Sequence, residues 1–136
     1  MVEQAEKVAG FEALKGRRHM NLTTFRRDGS PVRTPVWFSE TGGHLYVFTG
    51  RNTGKVKRIR NGGGVLVGPC DMRGRQLGPE TAGVARVLPS AERSIAEESL
   101  NRRYPLQRQV FGPVQRLLGR GEEVYLEISP APENRA

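Results

Sequence analysis

Hydrophobic positions recur with two different periods along this chain. From His19 the period is two: Met20, Leu22 and Thr24 fall on one face of a strand, and Asp28-Gly29 turns the chain back. The returning segment, 32–39, sets Val32, Thr34, Val36 and Phe38 on one side against Arg33, Pro35 and Trp37 on the other. Pro35 has no N–H for a ladder, so this strand is expected at a sheet edge or at a bulge. Gly42-Gly43 predicts a second tight turn, into a strand over 44–49. Further strands are expected at 65–68, at 81–88 and at 122–128, the last with Val124, Leu126 and Ile128 on one face. Helical spacing marks 2–15, through Val8, Phe11 and Leu14, and the basic stretch 55–60. It also marks 91–103, between Pro89-Ser90 and Pro105, and 106–118. Residues 68–79 read as loop and 130–136 as a frayed tail.

The sum is about six short strands joined mainly by tight turns, with two or three helices. Sequential hairpins without βαβ alternation predict a mainly β fold with helices (α+β), an antiparallel barrel and not a doubly wound sheet. No repeat or linker divides the chain, so residues 1–136 are expected to form one domain.

Composition narrows the partners. The formal charge of +8 favours an anionic one: nucleic acid, an anionic membrane face, or a small ligand carrying phosphates and carboxylates. A single cysteine, Cys70, excludes an internal disulfide and fits a reducing compartment. No apolar run has the length of a membrane span, and the first 15 residues lack the apolar core of a signal peptide, so a cytoplasmic location is expected.

The densest chemical signal runs from Leu45 to Arg60. A strand-like run ends in Thr49-Gly50, turns through small polar residues and enters five cations with no acid among them. Glycines allow close approach to a ligand, and a helix start with cations is a phosphate-binding arrangement. It is not a P-loop: three residues separate Gly50 from Gly54 where four are needed, and Val56 stands in place of the metal-binding hydroxyl. A single phosphate is the better fit, with the Thr49 hydroxyl, the backbone near Thr53-Gly54, and Lys55 and Lys57 as its donors.

Other chemistry is sparse. His19 and His44 have no Cys, Asp or Glu at ligand spacing, so no metal site is expected. Cys70 lacks a histidine base and reads as a small buried residue, and no Ser-His-Asp set stands out. Trp37 reads as a core or interface residue, or as the wall of a flat aromatic pocket. Nucleic-acid motifs are absent, which leaves a basic single-strand-binding barrel as the weakest alternative.

Four segments taken in order resemble a known group. They are Thr24-Phe25-Arg26-Arg27-Asp28-Gly29-Ser30-Pro31, Thr34-Pro35-Val36-Trp37-Phe38, Leu45-Tyr46-Val47-Phe48-Thr49-Gly50 and Lys55-Val56-Lys57-Arg58-Ile59-Arg60. The chain resembles, over about residues 10–129, the split β-barrel flavin- and deazaflavin-binding superfamily, the pyridoxamine 5′-phosphate oxidase-like group. Within it the likeness is to the actinobacterial branch that uses coenzyme F420; the run from Val65 to Arg75 is also similar to that branch. The resemblance implies a six-stranded split barrel of the FMN-binding type and a homodimer with two cofactor sites at its interface. It implies an oxidoreductase whose cofactor, F420 or alternatively FMN, carries the hydride, so that no catalytic side chain is needed. On that analogy Thr49, Gly50, Lys55 and Lys57, helped by Arg58, hold the cofactor phosphate. Thr34, Pro35, Val36 and Trp37 pass beside the ring, and the partner subunit contributes the far wall, through its Pro69 and Cys70. Arg51, Arg60 and the arginines beyond Arg102 are candidates for the oligoglutamate tail of F420. A non-catalytic F420 carrier is the remaining alternative.

Where relatives of this type have Asn-Pro-Arg, this chain has Asn61-Gly62-Gly63-Gly64. The expectation is a floppier, less stable exit from the basic helix than an Asn-Pro-Arg version would have.

Overall fold

The computed structural model describes residues 11–132. The strands are β1 (His19–Phe25), β2 (Pro31–Trp37), β3 (Ser39–Thr41), β4 (His44–Gly50), β5 (Gly64–Pro69), β6 (Thr81–Val87) and β7 (Glu123–Pro130). The helices are α1 (Gly54–Asn61), α2 (Ser94–Arg103) and α3 (Gln107–Leu117). All strand pairings are antiparallel, in the order β2-β1-β5-β6-β7-β4-β3. The sheet curls until β2, at one edge, meets β4 near the other, with Trp37 and Phe48 in ring contact at 6.2 Å. This is a split barrel, mainly β with helices, and its seam lies between β2 and β4.

The turns follow from their residues. Gly42 and Gly43 both take positive φ (62° and 83°), which a two-residue hairpin of this kind demands and side chains resist. At the first hairpin Gly29 takes φ 89°, and the Asp28 carboxylate accepts from the Ser30 N–H (2.9 Å) and hydroxyl (2.7 Å). Pro35 stands in an edge strand, as its missing donor requires.

β4 is the hinge of the packing. Leu45 and Val47 point into the barrel with Met20, Leu22, Val67 and Leu126, whereas Tyr46 and Phe48 point outward into a second cluster under α2. That second cluster holds Leu100, Tyr104 and Tyr125. A hydroxyl chain ties α2 to β3: Thr41 Oγ1 lies 2.7 Å from Ser99 Oγ, which donates to Ser39 Oγ at 2.8 Å. Tyr104 closes the end of α2, its hydroxyl shared between the Phe38 (2.6 Å) and Arg18 (3.0 Å) carbonyls.

Several expectations are corrected. Seven strands form, not six, because the chain bends at Phe38, buries that ring in the barrel and lets Ser39–Thr41 pair with β4. Of the N-terminal helix expected at 2–15, residues 2–10 lie outside the described residues. The rest is a 3-10 turn, Glu12–Leu14, with Phe11 and Leu14 buried against the barrel. The helix expected at 91–103 is a 3-10 turn, Ser90–Glu92, followed by α2. Pro130 belongs to β7, opposite Gly83, and not to a tail; residues 133–136 lie outside the described residues.

The Gly62-Gly64 exit is hydrogen-bonded on both sides. The Gly62 N–H donates to Arg58 O at 3.0 Å, and Gly63 O accepts from the Ala85 N–H at 2.7 Å. A Cβ on Gly63 would stand 2.6 Å from Ala85 O, and proline at 62 would remove the donor and require φ near −65° where the chain has −168°. This backbone would have to shift to take proline at 62 or a side chain at 63. Among the described residues no helix is long and apolar enough to cross a membrane.

Candidate functional site

A cavity of about 780 Å³ opens along the seam of the barrel. Thr34, Pro35, Val36 and Trp37 from β2 form one wall, and Phe48 and Thr49 from β4 form the opposite one. The turn 52–55 closes one end, Phe111 of α3 and Met72 cover parts of the mouth, and Arg120 enters from the segment before β7.

The apolar part of this cavity is aromatic. Trp37 stacks on Tyr104 (centroids 5.5 Å apart, 13° between planes), and Phe48 meets Phe111 edge to face at 4.4 Å. The Trp37 indole N–H donates to His19 Nε2 at 2.8 Å. Burial and the neighbouring Arg18 push His19 below the ordinary histidine value, with Asp71 opposing them.

The polar end is built by the β4–α1 turn. The Thr53 N–H and Oγ1–H both turn back to Gly50 O (3.2 and 2.9 Å), and Thr49 Oγ1 lies 3.3 Å from Thr53 Oγ1. Thr53 has extended φ and ψ (−79°, 156°), so α1 starts there, without a side-chain cap on its first turn. The positive end of that helix faces the cavity together with Lys55. Burial, then Arg120, then Arg58 lower the Lys55 amine below its usual value, and no carboxylate among the described residues pairs with it. A desolvated lysine with no carboxylate beside it is a site that gains from an anion. Gly50 is what lets Arg120 come this close: a Cβ there would lie 2.5 Å from Arg120 O and 2.6 Å from its Cβ.

The structure brings together Thr34, Pro35, Val36, Trp37, Thr49 and Lys55 on the lining, with Gly50 behind Arg120. It sends Lys57 and Arg58 elsewhere. They line a separate cleft of about 630 Å³ with Phe25, Arg26, Arg27 and Asn61, and only Gly54 borders both spaces. There Arg58 Nε donates to Thr24 Oγ1 at 2.6 Å. Pro69 and Cys70 lie outside the cavity lining: Pro69 pairs with Met20, and Cys70 is buried, its N–H donating to His19 O at 3.4 Å. Burial and Asp71 push the Cys70 thiol up, which suits a structural residue.

Six lining residues are not among the expected ring and phosphate contacts: His19, Phe48, Asn52, Met72, Phe111 and Arg120. His19 and Phe48 read as ordinary strand residues. Asn52 belongs to the β4–α1 turn itself, whereas Met72, Phe111 and Arg120 reach the cavity only because distant segments fold over the seam. Among the described residues no three His, Cys, Asp or Glu side chains gather as metal ligands.

A protein-family model described as pyridoxamine 5′-phosphate oxidase matches residues 6–127. No curated protein matches the chain. Among solved structures, an F420 reductase aligns with TM-score 0.58 at 20% identity, over 88% of this chain and 91% of that one. An FAD-binding protein from Mesorhizobium loti aligns with TM-score 0.58 at 18% identity, covering 88% and 84% of the two chains. HutZ, the haem storage protein from Vibrio cholerae, aligns with TM-score 0.61 at 10% identity, covering 97% and 90%. At these identities the likeness is one of fold.

Proposed function

The chain belongs to the pyridoxamine 5′-phosphate oxidase family, and from that premise we propose that it is a cytoplasmic oxidoreductase using coenzyme F420. The acceptor is an unsaturated or conjugated small molecule. The observation that carries this reading is the pairing, in one cavity, of a flat aromatic wall with a desolvated lysine, Lys55, that pairs with no carboxylate among the described residues. A tricyclic ring with a phosphate arm has this same division of character. When bound, the deazaflavin supplies the hydride.

The chain's own residues bind, orient and exclude water. Lys55 and Arg120, with the first turn of α1, hold the phosphate. Trp37, Phe48 and Phe111 pack on the ring and keep water from it. As an edge strand, β2 keeps a row of backbone groups out of the ladder, and these are free to meet the polar edge of the ring. The cleft of Arg26, Arg27, Lys57 and Arg58 supports F420 over FMN, because an oligoglutamate tail needs cations beyond the phosphate and FMN has no such tail. The functional unit we propose is a homodimer. Leu106, just before α3, and Val110 and Val114 on it are exposed (73%, 62% and 40%) beside Trp37 and Phe111, and a second copy would cover them.

FMN is the second reading, favoured by the FAD-binding protein of the same fold. Parallel fluorescence titrations with F420 and FMN decide between them. Tighter FMN binding, or uptake of neither, overturns the proposal. Loss of reduced-deazaflavin absorbance with enone, quinone or tetrapyrrole acceptors then separates an enzyme from a carrier.

A further inference from the structure

The chain's single tryptophan and one of its two histidines meet in the cavity wall. Trp37 Nε1–H donates to His19 Nε2 at 2.8 Å, with the rings 6.3 Å apart at 63°. An imidazole nitrogen accepts only when it carries no proton, so the contact specifies a neutral ring with its hydrogen on Nδ1. Tyr104 supports the indole by stacking, and Phe48 and Phe111 tilt against it, at 6.2 and 6.3 Å. Those contacts hold the plane of the ring. Among the described residues only His19 hydrogen-bonds its nitrogen and so fixes its rotation within that plane.

We propose that His19 is a positioning residue whose neutral form locks the Trp37 indole into the cavity wall, and whose protonation releases it. An imidazolium has no lone pair to offer at Nε2, so acid converts a hydrogen bond into two donors facing each other. The groups around His19 set where this happens. Its own partial burial, and then Arg18, next to it on the chain, favour the neutral ring, and Asp71, on the loop after β5, opposes them. The Cys70 thiol on that same loop is pushed up and stays uncharged. Lys55 and Arg120 are the other charged groups on the lining of this cavity. The release therefore falls below the ordinary histidine value of 6.5. This device operates on whatever flat ligand the cavity takes, and its test needs none.

Uniformly 15N-labelled, ligand-free protein has one indole 1H–15N cross-peak. The expected result is a hydrogen-bonded position at neutral pH that moves toward that of a free indole as pH falls, with a midpoint below 6.5. His19→Gln, whose amide oxygen can accept from the indole at any pH, should hold the bonded position throughout. His19→Leu should show the free position throughout, and His44→Gln should titrate like the parent. A pH-independent cross-peak in the parent protein, or an unchanged titration in His19→Gln, overturns the proposal. If the His19 variants fail to fold, the parent still decides: long-range 15N spectra of its histidines should show the Nδ1–H tautomer for His19 at neutral pH, and the Nε2–H tautomer overturns it.

Discussion

α1 carries cations to two places, and the two differ in everything but charge. On one flank Lys55 sits in a desolvated cavity beside aromatic rings, its amine weakened by burial and by Arg120. On the other flank Lys57 is exposed, in a cleft with Arg26, Arg27 and Arg58 that has no such aromatic wall. The two lysines are separated by one residue, Val56, which is buried between them. The contrast teaches that the count of cations in a basic stretch says little. Their surroundings decide whether each anchors one anion tightly or several anions loosely.

The comparison breaks first at Lys55. Lys55→Ala should weaken phosphate-bearing cofactor binding by roughly tenfold to a hundredfold, the worth of a hydrogen bond to a charged group. Fluorescence titration reads this directly, and an unchanged affinity would remove Lys55 from the site. Gly50→Ala should act on the same flank through the backbone. Its Cβ would collide with Arg120, costing about 1–3 kcal/mol in urea unfolding while pushing Arg120 from the cavity. Full stability and full affinity in that variant would show that the close approach is dispensable.

The other flank should respond more gently. Lys57→Ala should change affinity for a monophosphate by less than about 1 kcal/mol, as exposed charges do, and should cost more for a ligand with a long acidic tail. Equal losses at Lys55 and Lys57 for the monophosphate would erase the distinction between the flanks.

The smallest effect is on pH dependence. Lys55 has a folded-state value below its usual 10.5, so between the two values the unfolded chain holds more protons than the folded one. The stability of the ligand-free protein should therefore gain a contribution as pH rises through that window. Lys55→Met should remove that contribution, read as the difference between the two unfolding midpoints across alkaline pH, and Lys57→Met should leave it in place.

Much of the fold was legible because its turns declare themselves: Asp28-Gly29 and Gly42-Gly43 fix two hairpins, and Pro35 marks an edge. β3 was not legible, since three residues of Ser-Glu-Thr carry no period and pair only because β4 is there to receive them. The site divides in the same way. Thr49, Lys55 and the β2 run lie on contiguous segments and could be read locally, whereas Phe111 and Arg120 depend on how α3 and the segment after it cross the seam. A run of cations looks uniform in one dimension. Once wound into a helix, the run sends its two lysines to different spaces.

The two-sided burial of β4 has a consequence for how this protein can change. Leu45 and Val47 fill the barrel while Tyr46, Phe48 and Thr49 face the aromatic layer and the cavity. A strand with no idle face offers few neutral substitutions, so drift in ligand preference there comes at a cost in stability. The room for evolutionary novelty lies instead at the borders of the cavity, at Asn52, Met72 and the exposed side of α3. There a new side chain can alter what is recognised while the barrel itself stays unchanged.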